Sequence, residues 1–217
     1  MRARNDAPVD TRGGGYTTDD GYQFELTGGS LCLDFANTLD SRPTEAPREL
    51  LSDYRHLVDW AMQAEALSPA VTRRLLASAA SEPARARVVL GRARALRESV
   101  FQVFSAHARG ARIPQGALDA LNRAVSGALA RLRLAKDSGG FRWEWKEEQA
   151  LDRMLWSVAR SAGELLTSDR LGQVRVCAAP DCDWLFLDTS RNGSRRWCDM
   201  RVCGNRSKVR RYRAARR

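Results

Sequence analysis

No run of about 18 apolar residues occurs anywhere in the 217-residue chain, which excludes an ordinary transmembrane helix. Signatures of chemistry are missing too. There is no G-x-S-x-G, Walker-type loop, H-E-x-x-H or Rossmann glycine pattern, so the chain is expected not to be an enzyme. Histidine is scarce: His56 and His107 lie far apart in sequence, and each is expected to be an ordinary helix residue rather than a ligand or base. The opening residues, MRARNDAPVD, lack the apolar segment of a secretory signal, so a cytoplasmic protein with no membrane partner is expected. Lysine is rare, with only Lys136, Lys146 and Lys208. A GC-rich coding bias gives the same arginine excess, so it carries no argument about bidentate recognition.

Apolar residues make up 43% of the chain, too many for a disordered protein and enough for one sizeable core plus a small module. The net charge is +10, and it is unevenly spread. Residues 171–217 hold 12 basic and 4 acidic side chains, whereas residues 1–170 hold 24 and 22. The body is nearly neutral and the tail carries the field. A field concentrated in one small module suits a polyanionic partner, most simply nucleic acid; the bland alternative is a solubilising tail.

Five cysteines are present, and four of them, Cys177, Cys182, Cys198 and Cys203, are spaced C-x4-C-x15-C-x4-C. A cytosolic chain seldom uses such a set for disulfides. Two close pairs separated by a hairpin-sized gap match a structural zinc site, with four buried thiols or an iron–sulfur cluster as alternatives. Four thiolates would close a tetrahedron around one structural Zn2+ and leave no position for catalysis. A module this small could hardly bury enough core without metal, so its folding should be metal-linked. Cys32 stands alone in LCLDF and reads as a core residue.

Between the pairs, Trp184 to Leu187 reads as a strand, SRNGS as a turn, and Arg195-Arg196-Trp197 as the returning strand. The segment after Cys203 reads as a helix capped by Asn205 or Ser207. On it Arg206, Arg210, Arg213 and Arg217 share a face, Lys208 and Arg211 add charge elsewhere, and Val209 and Tyr212 are placed to pack on the hairpin. This is a treble-clef or zinc-ribbon layout.

At these residues the chain resembles a known family. C-x4-C, then Phe186-Leu187-Asp188-Thr189-Ser190, then Arg195 to Cys198, then Cys203-Gly204-Asn205-Arg206 with Lys208 following, is similar to the CGNR zinc finger. GGSLCLDFANTL, Gly28 to Leu39, resembles the opening motif of the ABATE domain, a stress-induced transcriptional regulator domain that usually precedes this finger in bacteria. The resemblance spans roughly residues 20–215. It implies a bacterial DNA-binding regulator with the four clustered cysteines as zinc ligands.

The remaining pattern is mostly helical. Residues 1–20 are polar and glycine-rich and read as a mobile arm. Tyr22 to Leu26 alternates as a short strand, and Ser30 is placed to cap a helix from Leu31. Helices are expected at about Asp53–Glu65, Ser68–Ala80, Pro83–Ala108, Pro114–Arg131 and Glu147–Leu166. In the long one, Leu90, Ala93, Leu96, Val100, Val103 and Phe104 form a buried stripe, with Arg87, Arg94, Arg97 and Glu98 outward. Leu132 to Leu134 and Phe141 to Trp145 flank a Gly-Gly turn as a β-hairpin. Asp34 and Asn37 lie one turn apart among apolar residues; they read as a capping or core-bridging pair, or as part of a pocket for a small-molecule effector.

The fold expected is α+β. It comprises an arm (1–20), a mostly helical regulatory domain with a β-hairpin (21–170) and a four-cysteine finger (171–217). The function expected is transcriptional regulation. DNA would be read by Arg191, Arg195, Arg196, Arg206, Lys208, Arg210, Arg211 and Arg213, while the N-terminal domain senses an effector or forms a homodimer. RNA binding and a zinc-stabilised protein-interaction module are the rival readings.

Overall fold

A computed structural model describes residues 14–18, 21–146 and 149–216. The chain opens with an antiparallel hairpin, β1 (Gly15–Thr18) and β2 (Gly21–Phe24). Helix α1 (Leu31–Ala36) follows, then a short ladder of β3 (Leu39–Asp40) with β4 (Arg48–Glu49). Four helices come next: α2 (Tyr54–Gln63), α3 (Pro69–Ser81), α4 (Pro83–Ala108) and α5 (Gln115–Leu129). A second hairpin, β5 (Leu132–Asp137) and β6 (Gly140–Trp145), leads to α6 (Arg153–Leu166). A 3-10 turn at Asp169–Gln173 enters the finger, built from β7 (Val174–Val176), β8 (Leu185–Leu187), a π-turn at Met200–Gly204 and α7 (Asn205–Ala214). The result is mostly helical with small β-hairpins, as the sequence pattern implies. Among the described residues no helix is long and apolar enough to cross a membrane.

Local chemistry explains the helix starts. The Asp53 side chain accepts from the His56 amide at 2.9 Å and opens α2. Ser68 accepts from the Val71 amide, and Pro69 supplies a preset φ at the first turn of α3. Pro83 does the same for α4. The predicted stripe of α4 is buried, with Ala93, Val100, Val103 and Phe104 fully so. It meets Leu33 and Phe35 of α1 and Met154, Val158 and Ala162 of α6 in one core. Each large apolar side chain removed from water contributes about 1.5–3 kcal/mol.

Several expectations are corrected. Residues 1–13, 19 and 20 of the expected arm lie outside the described residues, but Gly15–Thr18 are a paired strand, and the Gly14 amide donates to the Glu25 carboxylate at 3.0 Å. Arg97 does not face outward. It is 3% exposed, because Glu49 grips its guanidinium through two bonds of 2.6 and 2.8 Å and Glu98 takes its Nε at 2.9 Å. A buried charge is tolerable when it is paired in this way. Helix α6 begins at Arg153; Glu147 and Glu148, where it was expected to start, lie outside the described residues.

The finger does not contain the expected hairpin. Strand β8 pairs with β7, upstream of the first cysteine pair, and Arg195 to Trp197 return as irregular chain. The hairpin turn is therefore the CAAPDC knuckle itself, closed by the Cys177 amide donating to the Trp184 carbonyl at 2.8 Å. Asp183 takes the left-handed conformation there, at φ 65°. The side chains of β8 divide by strand alternation. Leu185 and Leu187 enter the main core with Val174, while Phe186 joins Trp184 in the cysteine core. The finger is thus packed on the helical body.

Candidate metal centre and basic surface

The four cysteines converge. Their sulfurs all lie within 4.8 Å of one another, all four are buried, and none forms a disulfide. A tetrahedron with Zn–S bonds of about 2.3 Å has edges of about 3.8 Å. The Cys182–Cys198 and Cys198–Cys203 sulfurs are 3.6 and 3.7 Å apart, so the donor set fits. These residues form a zinc-binding site for one structural ion, and four sulfur ligands leave no open coordination position.

The surroundings hold the ligands in place. Trp184, Phe186, Ala179 and Val202 enclose them in a small apolar core. Asp199 accepts from the amides of Arg201 and Val202 and opens the π-turn that carries Cys203 into α7. This corrects the expectation that Asn205 or Ser207 caps the helix. Gly204, the helix's first neighbour, packs against Met200, whose sulfur would lie 2.7 Å from an added Cβ. The Asp188 carboxylate ties the loop between the cysteine pairs, accepting from the Ser190 hydroxyl and amide and from the Arg195 amide at 2.9 Å. These bonds, the Ser190 hydroxyl first, hold Asp188 below the usual carboxylate range.

The basic residues split into two groups. Arg195 turns inward. Its guanidinium lies 4.6 Å from the centre of the Phe186 ring, its Nε donates to the Trp197 carbonyl at 2.9 Å, and it also bonds the Cys198 carbonyl. Arg206 is half-buried and donates to the Cys203 sulfur at 3.3 Å. Arg210 pairs with Asp181 at 3.1 Å. Burial alone would raise the Asp181 carboxyl, but Arg210 and Arg206 outweigh it and hold the group low. By contrast Arg191, Arg196, Lys208, Arg211 and Arg213 are exposed.

Helix α7 buries none of its residues. Val209 and Tyr212, expected to pack on the hairpin, are 48% and 56% exposed instead. The hairpin's apolar faces are already filled by the helical body and the cysteine core. Arg201, which sequence reasoning passed over, lines an open groove of about 410 Å3 with Arg206, Arg210 and Arg213. Its only signal in sequence is its place on the stretch after Asp199, which holds no acidic residue.

Asp34 and Asn37 do not share a pocket. Asp34 accepts from the Gly28 amide at 2.7 Å and borders an open cleft with Leu31, Gln63 and Glu65. Burial pushes its carboxyl up to about 6. Gly28 cannot be larger, since an added Cβ would sit 2.9 Å from the Asp34 amide nitrogen. Asn37 is 2% exposed and faces the finger, where it bonds both backbone groups of Leu185. The Gly28 carbonyl accepts from the Leu187 amide at 2.9 Å. The GGSLCLDFANTL segment therefore grips the outer edge of β8, an edge that would otherwise be left unpaired.

Comparison with known families agrees with this arrangement. The ABATE family, described as "Putative stress-induced transcription regulator", matches residues 29–169. The CGNR zinc finger family matches residues 173–216. No curated protein matches the chain. The chain belongs to the ABATE family and carries a CGNR zinc finger at its C-terminal end.

Proposed function

We propose that this protein is a cytoplasmic, non-enzymatic transcriptional regulator whose finger binds duplex DNA. Its helical domain would set when or how tightly, through an effector or a homodimer. One observation carries the reading: a helix that buries none of its residues, presents Lys208, Arg211 and Arg213 to solvent and contains no carboxylate. Such a helix has no core to serve. Like charges one turn apart repel by a few tenths of a kcal/mol per pair, and a phosphate backbone relieves that repulsion while counterions are released. The zinc core supports the helix at its N-terminal end, with Asp181 fixing Arg210. The absence of an open metal position favours a structural over a catalytic role.

Fluorescence anisotropy on the zinc-loaded chain tests this, with duplex DNA and structured RNA competing at matched salt. The expected result is preference for duplex DNA and a log–log salt slope of about −0.9 per phosphate contacted. An Arg211→Glu, Arg213→Glu double variant should bind weakly with a shallower slope. Preference for RNA, or full binding by that variant, overturns the reading. The variant that binds no nucleic acid less well than its parent would direct attention to an acidic protein partner instead.

A further inference from the structure

The helical domain contains a second concave site, away from the finger. A cleft of about 390 Å3 lies between the first half of α4 and the start of α6. One wall is a single face of α4, with Arg85, Val88, Val89 and Arg92 at i, i+3, i+4, i+7. The other wall is Arg131, just past α5, with Leu151, Asp152 and Trp156. Its volume is within the range that holds small ligands.

The lining has a definite chemistry. Among the described residues, three guanidinium groups and one carboxylate line it. Arg85 is already paired with Glu82 beside it on the chain. Arg92 has no carboxylate within ion-pair distance among the described residues. Arg131 is positioned before any ligand arrives: its guanidinium stacks 5.0 Å from the centre of the Trp156 ring, and Nη1 donates to the Gly127 carbonyl at 2.7 Å. Its Nε is buried with no hydrogen-bond partner among the described residues. An unpartnered buried donor costs free energy that an acceptor would recover. Val88, 56% exposed, supplies the open apolar surface, and the otherwise buried Trp156 reaches the cleft beside Arg131.

The geometry points to this cleft as a binding site for a small anion with a flat apolar body, such as an aromatic ring bearing a carboxylate or a phosphate. Arg92 and Arg131 hold the oxyanion, and the ring lies against Val88. DNA bound to the finger would not compete. Arg109, at the far end of α4, is paired with Asp183 of the finger at 2.8 Å. The twenty residues between positions 89 and 109 place that contact about 30 Å away along the helix. The inference deepens the sensing half of the proposed function, and it can be tested without DNA.

Titration calorimetry on the zinc-loaded full chain tests it with four probes: 2-naphthoate, 1-naphthyl phosphate, 2-naphthalenemethanol and inorganic phosphate. Saturable binding of at least one of the first two is expected, about tenfold or more tighter than the alcohol or phosphate alone. Which of the two binds better separates a carboxylate from a phosphate ligand. Arg92→Gln with Arg131→Gln should weaken that binding about tenfold, with zinc content unchanged. Arg211→Gln with Arg213→Gln should leave it intact. No saturable binding of either aromatic anion, equal binding of the alcohol, or undiminished binding by the cleft variant overturns the inference. Each of these outcomes stands apart from whether the finger binds DNA.

Discussion

Asn37 pairs with the backbone of Leu185 as a neighbouring strand would, donating to its carbonyl at 2.9 Å and accepting from its amide at 2.8 Å. The two residues belong to the helical domain and to the finger, and both are buried. The Asn37 side chain and the Gly28 carbonyl, which accepts from the Leu187 amide, together complete the edge of β8, and the body and the finger share a hydrogen-bonded seam.

Removing that side chain should leave two buried backbone groups unsatisfied. Asn37→Ala is expected to cost about 2–4 kcal/mol, measured by urea unfolding with intrinsic fluorescence. Asn37→Asp should also destabilise, because a carboxylate cannot donate to the Leu185 carbonyl. An unchanged midpoint in both variants would mean that the seam contributes nothing.

Asp34 should make the protein less stable at neutral pH than at mildly acid pH. Burial raises its carboxyl from 3.8 to about 6. Between those values the folded state keeps a proton that the unfolded chain has released. Its stabilising effect is full below the unfolded value and is lost as pH rises through about 6. Asp34→Asn keeps an oxygen for the Gly28 amide and removes the charge. Its advantage over the parent should grow from pH 5 to pH 7.5, reaching about 3 kcal/mol at most. Parallel unfolding curves at the two pH values check this, and a constant difference would refute it.

Zinc should be present at one ion per chain and should stabilise more than the finger. Cys182→Ser, or exposure to a chelator, is expected to abolish stoichiometric metal by elemental analysis. It should also lower the melting temperature of the helical body, because Val174, Leu185 and Leu187 belong to the main core. A metal-free variant with an unchanged body transition would show that the two units are independent.

Arg195 and Arg211 should fail in different assays. Arg195→Ala removes the contact with Phe186 and the bonds to the Trp197 and Cys198 carbonyls, so zinc should be lost faster to a competing chelator. Arg211→Ala should leave zinc retention alone and reduce the DNA salt slope by about 0.9. The reverse pattern would exchange their roles.

The metal ligands, the helices and the β5–β6 hairpin are readable from the chain because each depends on neighbours a few residues away. Cysteine spacing, helix caps, a 3.6-residue apolar stripe and a Gly-Gly turn are local signals. Other features rest on partners that no local pattern names. Arg97 reads as a surface residue until Glu49, 48 positions earlier, closes on it. Arg195 reads as an outward-pointing side chain until the Phe186 ring is found beneath it. Asn37 and Leu185 are 148 residues apart, and strand alternation cannot say which edge of β8 is filled by β7 and which by a side chain from the other domain. Short-range geometry selects the elements; burial of charge and satisfaction of backbone groups across the assembled core select their partners.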